Sequence, residues 1–247
     1  MSLIDRIGVQ SYCFRSIKDL PALGKAVKAC GLERLELCGV HADFQKPETF
    51  AAAIATLRQG GVTVVSTGVN GIGPDAARAR PMFEFLKACG AKHMSVSFGI
   101  QDVPAAFRVA EQLAEEFGVQ LGIHNHGGYN WLGSVEALSW VFKQTSPRIG
   151  LCLDTAWAMQ TGTDVMRYVE QFAPRLHAVH VKDFVFDRAG RWTDVVAGVG
   201  NLDLAKLRDA LRKLGFQGEV IIEYEGDVNN PVPSVAACVQ AVKQQMA

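Results

Sequence analysis

Four short segments of the chain each end an apolar run in a residue that can bind a divalent cation. They are Leu121-Gly-Ile-His124-Asn-His126, Leu151-Cys-Leu-Asp154-Thr-Ala-Trp157, Ala178-Val-His180-Val-Lys182-Asp183 and Ile221-Ile-Glu223-Tyr-Glu225-Gly226. A buried strand gains nothing of its own from ending in an imidazole or a carboxylate, because such groups cost free energy to bury unless they are paired. Brought together, two imidazoles and two carboxylates form a mixed nitrogen and oxygen donor set. Such a set suits Mn, Zn, Fe or Co better than Ca. Side chains alternate along a strand, so His124 and His126 share a face, as do His180 and Lys182, and Glu223 and Glu225. In each pair the earlier residue can point inward toward the cation. The later one lies past the strand end, over whatever binds there. The metal candidates are therefore His124, Asp154, His180 and Glu223. Singly, each has a plainer use: a strand histidine is commonly a hydrogen-bonded structural residue, and an aspartate after a strand commonly caps a helix. Four at successive strand ends favour the cation.

Something must carry these residues to one place, and a repeated phrase of helix, glycine and strand supplies it. The phrase appears as Lys28-Ala-Cys-Gly31-Leu, Arg58-Gln-Gly-Gly61-Val, Lys87-Ala-Cys-Gly90-Ala, Glu115-Glu-Phe-Gly118-Val and Arg212-Lys-Leu-Gly215. Each glycine suits the left-handed residue that ends a helix. Phe107, Ala110, Leu113 and Phe117 fall on one helical face, and so do Leu204, Leu207, Leu211 and Leu214. Apolar runs begin near Ile7, Leu32, Val62, Lys92, Val119, Ile149, Leu176 and Glu219, mostly 25 to 30 residues apart with a longer last gap. Eight strands alternating with amphipathic helices over 247 residues predict an α/β fold, a (β/α)8 TIM barrel in one domain spanning residues 1–247. A doubly wound sheet would more often carry a glycine fingerprint after its first strand, and the turn here reads Ser11-Tyr-Cys-Phe-Arg-Ser16. The longest connection, Asp183 to Asp203, is polar and would lie at the catalytic mouth.

Composition narrows the function classes. The chain is 49% apolar and 20% charged with zero net charge, and no long basic run attracts a polyanion. No apolar stretch approaches the roughly 20 residues of a membrane span. The start, Met1-Ser-Leu-Ile-Asp-Arg6, lacks the layout of a signal peptide. Six scattered cysteines without a C-x-x-C pair point to a reducing, cytoplasmic protein.

The segments "LCLDTAW", "HVKDF", "GVGNLDL" and "IIEYEGD" carry a resemblance to the xylose isomerase-like barrels, the sugar phosphate isomerase/epimerase superfamily that also includes inosose-processing enzymes and endonuclease IV. It runs over essentially the whole chain and is strongest from Gly118 to Asp227. It implies a divalent metal ion (Mn, Zn, Co or Mg) held by the fifth to eighth barrel strands. By position the ligands are again His124, Asp154, His180 and Glu223. Two departures stand out. Many members have glutamate where this chain has His124, and in the epimerases that glutamate and its counterpart trade protons across the sugar. Asp-Thr-Gly-His is common on the sixth strand, where this chain has Trp157 in place of the last histidine.

The chemistry implied is enolisation of a keto-sugar, a sugar phosphate or an inosose. A metal bridging a carbonyl and its neighbouring hydroxyl acidifies the α C–H, and a base removes the proton. Glu223 is the first candidate base, with Glu225 or His126 next. Lys182 could place positive charge near the enediolate oxygen, or be a surface lysine paired with Asp183. Glu36 could bond a sugar hydroxyl. Trp131, Trp157 and Trp192 could stack on a pyranose, and Arg188 or Arg191 could take a phosphate. The leading reading is a metal-dependent isomerase or epimerase. A lyase or dehydratase on the same metal site follows, because enediolate formation also begins β-elimination. A metallohydrolase or abasic-site endonuclease and a non-catalytic sugar-binding barrel are weaker. The expected partner is a small carbohydrate, with no nucleic acid and no membrane. The resemblance allows a homo-oligomer.

Overall fold

A computed structural model describes residues 2–247. Ten strands are present: β1 (Ile7–Gln10), β2 (Arg34–Leu37), β3 (Thr63–Gly71), β4 (His93–Ser97), β5 (Gln120–His124), β6 (Ile149–Asp154), β7 (Leu176–Val181), β8 (Asp183–Phe186), β9 (Trp192–Val195) and β10 (Glu219–Ile222). Eight of them pair in parallel and close in the order β1–β2–β3–β4–β5–β6–β7–β10. Nine helices surround this ring: α1 (Leu20–Ala29), α2 (Phe50–Gln59), α3 (Ala76–Cys89), α4 (Ala105–Phe117), α5 (Val135–Gln144), α6 (Thr155–Gln160), α7 (Val165–Gln171), α8 (Leu204–Lys213) and α9 (Pro231–Met246). The fold is the (β/α)8 TIM barrel that the strand spacing predicts. No helix among the described residues is long and apolar enough to cross a membrane.

The two faces of the barrel strands differ in chemistry. Val9, Leu35, Leu37, Met94, Val96, Leu121, Ile123, Leu151, Leu153, Val179, Val181, Val220 and Ile222 are wholly buried in the main apolar core. Burying each such side chain contributes about 1.5–3 kcal/mol. The alternate residues include Gln10, Glu36, Ser66, Ser95, His124, Asp154 and His180, which are just as buried. By parity these face the other side of the sheet. This barrel is therefore lined with polar groups, where barrels of this type are usually filled with branched apolar ones.

Helix ends follow local chemistry. Asp19, Asp75, Asp154, Asp164 and Asp203 each accept a backbone N–H from the first turn of the helix that follows. Gly31, Gly61, Gly90, Gly118 and Gly215 all have positive φ, so the repeated glycine marks a helix end at every position where the sequence placed one. The α4 stripe holds, with Phe107, Ala110 and Leu113 buried and Phe117 partly buried against the core. Leu204, Leu207 and Leu211 are buried, but α8 stops at Lys213, which leaves Leu214 outside the helix and 40% exposed.

The Asp183–Asp203 connection is more ordered than a polar loop. β8 and β9 pair antiparallel as a hairpin, with Asp183 opposite Val195 and Phe186 opposite Trp192. Asp187 closes the turn by accepting the N–H groups of Ala189 and Arg191, and Gly190 takes positive φ. The Asp183 carboxylate then gathers the N–H groups of Gly198, Gly200 and Leu202 at 2.9 Å each, which fixes the segment leading to α8.

Candidate active site

His124 ends β5, Asp154 ends β6, His180 lies near the end of β7, and Glu223 follows β10 directly. All four are buried, and one donor atom from each lies within 4.8 Å of the others. His124 Nε2 is 3.4 Å from Asp154 Oδ2 and 3.6 Å from Glu223 Oε2. His180 Nδ1 is 2.7 Å from the same Glu223 oxygen. Asp154 serves two purposes. Its Oδ1 accepts the Trp157 N–H at 2.8 Å and caps α6, while its Oδ2 has no hydrogen-bond partner. Asn125 clamps the Asp154 backbone in a reciprocal pair, donating to its carbonyl and accepting its N–H.

Lys182 follows His180 by two residues and is 1% exposed. Its Nζ lies 3.4 Å from Glu223 Oε1, 3.8 Å from Asp194 Oδ2 and in contact with Glu225. Burial disfavours its charge, but Glu223, Asp154, Glu225 and Asp194 outweigh burial and hold the ammonium protonated. Burial likewise raises Glu223, and Lys182 with the two imidazoles then carries it well below the usual carboxylate range. Burial lowers His124, yet its contacts with Asp154 and Glu223 lift it to about 9. Asp194, on β9, is pushed up to about 7 by burial against the pull of Lys182.

A cavity of about 500 Å³ opens above this cluster. His124, His126, Trp157, Glu223 and Glu225 line it, together with Gln10, Tyr12, Val40, Ser97 and Asn130. His126 stacks on Trp157 with ring centres 4.1 Å apart. Two candidates lie elsewhere. Glu36, expected against a sugar hydroxyl, is fully buried beneath His180 and does not reach the cavity wall. Arg191 sits on the hairpin turn with its side chain 83% exposed and paired with Asp187. Lys182 is not the surface partner of Asp183, whose carboxylate is taken up by backbone N–H groups. Sequence reasoning passed over Asp194, Asn125 and the network around Glu36. Asp194 was hidden inside a segment read as a loop. Asn125 shows only as the residue between two histidines.

The donor set fits a divalent cation on three grounds. His124 Nε2 and Asp154 Oδ2 are buried polar atoms without hydrogen-bond partners, and such atoms are uncommon without a reason. Separations of 3.4 and 3.6 Å from His124 Nε2 to Asp154 Oδ2 and Glu223 Oε2 are of the size that metal–ligand bonds of about 2.1 Å produce. Finally, Glu36, Asp154, Asp194, Glu223 and Glu225 outnumber Lys182 and the two imidazoles together, so a divalent cation taking the place of the ring protons would be balanced here.

Comparison with known proteins follows the same lines. A family model described as xylose isomerase-like TIM barrel matches residues 25–244. The chain is 31% identical over 139 residues to the rhizopine catabolism protein MocC of Rhizobium meliloti, covering 51% of this chain and 42% of that protein. It is 25% identical over 136 residues to the inosose dehydratase of Geobacillus thermodenitrificans, covering 48% and 45%. The matches thus span less than half the length of these curated relatives. In fold, it superposes on the 3-keto-D-glucoside 4-epimerase YcjR of E. coli with a TM-score of 0.75, covering 97% of this chain and 99% of that one at 17% identity.

Proposed function

We propose a function from the premise that the chain belongs to the xylose isomerase-like TIM barrel family: it is a divalent-metal-dependent isomerase or epimerase that enolises a small keto-sugar or inosose. The observation that carries this reading is the convergence of His124, Asp154, His180 and Glu223 at one end of the barrel, directly below a carbohydrate-sized cavity. These four residues would hold the cation. When bound, it would polarise the substrate carbonyl and stabilise the enediolate.

The chain's own residues then divide the proton work. Glu223 turns Oε2 toward the histidines and Oε1 toward Lys182, so one oxygen stays clear of the other three donors. That oxygen removes the α proton, and Lys182 keeps the carboxylate aimed and ionised. His126 reaches the cavity from beyond β5, three positions round the ring from β10. It would deliver a proton from another side, the task that the glutamate at the His124 position has in the two-glutamate epimerases. Trp157 holds the His126 ring by stacking and offers its edge to the substrate. Glu225, fixed by Lys182, accepts a hydroxyl. The six cysteines are buried and unpaired, which suits a cytoplasmic setting. Glu223 and Glu225 on the cavity wall favour a neutral sugar over a nucleic acid.

A dehydratase is the second reading, favoured by His124 standing where a second metal-bound glutamate would be and by the likeness to an inosose dehydratase. Both readings begin with the same proton abstraction. Incubating the metal-loaded protein with keto-sugars and an inosose in D2O separates them. The isomerase reading expects deuterium at the α carbon with the water content of the sugar intact. A product lighter by one water would give the reaction to the dehydratase, and neither exchange nor loss of water with any substrate would remove both.

A further inference from the structure

The reaction above makes no use of one carboxylate that is wholly buried beneath the four-residue cluster. Glu36, on β2, is surrounded by donors. Gln10 Nε2 donates to its Oε1 at 2.6 Å, and Ser66 Oγ and Ser95 Oγ both donate to its Oε2. The roles of Gln10 and Ser66 follow from their other partners. Gln10 must turn its nitrogen toward Glu36, because its oxygen accepts the Tyr12 N–H. Ser66 gives its only proton to Glu36 and so accepts from Nδ1 of His93, 3.0 Å away. A carboxylate has room for about four hydrogen bonds, and three are filled.

The vacant position belongs to His180. Its Nε2 lies 3.0 Å from Glu36 Oε1, off the line of a straight hydrogen bond, and has no other partner. Its Nδ1 lies on the opposite side of the ring, 2.7 Å from Glu223 Oε2. Glu36 and Glu223 can both only accept, so without a cation each ring nitrogen donates; a cation held with Glu223 would take the place of the Nδ1 proton and leave the one on Nε2 facing Glu36. An imidazole that binds a cation through one nitrogen ordinarily donates its remaining N–H to a fixed acceptor, which sets both tautomer and ring orientation.

We propose that Glu36 is a positioning residue for the metal centre: it keeps the His180 proton on Nε2, so that Nδ1 presents its lone pair beside Glu223. The inference rests on the metal reading above. The same Glu36 is thereby removed from the substrate side, where its place on a barrel strand end had suggested it. Gln10, Ser66 and Ser95 act behind it by filling its other lone pairs, and His93 in turn bonds Ser66.

Histidine side-chain 15N NMR of the zinc-loaded protein tests this without a variant. The expected spectrum has His180 bound through Nδ1 and protonated on Nε2. Ligation through Nε2 would overturn the proposal while leaving the metal site standing. Failure to bind zinc at all would overturn both. Glu36→Gln supplies the second measurement. Its zinc affinity should fall by about 10- to 100-fold, with the metal-free variant still folded by circular dichroism. An affinity equal to that of the parent would count against the assignment. If Glu36→Gln does not fold, Ser95→Ala removes one anchor of the carboxylate and should weaken zinc in the same direction by a smaller factor.

Discussion

His124 and His93 are buried imidazoles on adjacent strands of one barrel, and they sit at opposite ends of the histidine range. His124 is lifted to about 9, while His93 is pressed down to about 3. Burial lowers both. The difference is what each ring meets. His124 Nε2 faces two carboxylates, Asp154 and Glu223. His93 meets a serine hydroxyl through Nδ1, and its Nε2 has no partner. The charge of Glu36 favours the protonated His93 ring but does not offset the loss of water. Room for the His93 ring is made by Gly122, where a Cβ would fall 2.7 Å from Nε2. A buried histidine in this barrel is therefore no sign of a metal by itself. Carboxylates aimed at its lone pair are.

The contrast can be tested most severely at Lys182. Replacing it with methionine leaves Glu223, Glu225 and Asp194 without their cation, so the metal-free protein should lose about 3–5 kcal/mol in chemical denaturation. A loss below about 1 kcal/mol would mean that these carboxylates are already neutralised in some other way. The next effect concerns His124. Its folded value exceeds the ordinary 6.5, so its contribution to metal-free stability is complete below pH 6.5 and is lost as pH rises through about 9. The magnitude is on the order of 3 kcal/mol. A cation needs the neutral ring, so uptake should release protons and the affinity should climb between those pH values. Calorimetric zinc titrations in buffers of different ionisation enthalpy would measure the release. An affinity flat with pH would erase the difference between the two histidines.

The smallest effect belongs to His93, with the opposite sign. Its folded value lies below 6.5, so stability is present above that pH and falls as the unfolded chain takes up a proton. At pH 5 the cost is about 2 kcal/mol. His93→Gln should remove this part of the acid sensitivity, read as the change in denaturation midpoint between pH 8 and pH 5. An unchanged midpoint shift would assign it to His41 or His177, which burial also lowers.

Much of the barrel could be read along the chain because its signals are local. Strand starts show as apolar runs, and helix ends show as glycines at positive φ. The four donors show because alternation fixes which residues share a face. What alternation cannot show is which partner stands across the sheet. Glu36 meets His180 only because β2 and β7 approach across the interior of a closed ring, a relation absent from either strand alone. Lys182 looked like half of a local pair with Asp183, yet its partners come from β9 and the segment after β10. The hairpin was hidden because the alternation in Asp183-Phe-Val-Phe and Trp192-Thr-Asp-Val is only four residues long on each side.

That hairpin also closes one side of the mouth. Asp194 accepts the Glu225 N–H at 2.9 Å, and Trp192 stacks on Phe184 at 4.5 Å and packs edge-on against Trp157 at 5.0 Å. Lifting it would expose the Lys182 ammonium and break this aromatic stack together. On the far rim, Tyr12, Val40 and Val69 line the same cavity with 36–42% of their surfaces in solvent. The cavity is therefore open over the β1–β3 side, while packed aromatic side chains close it on the β8–β9 side.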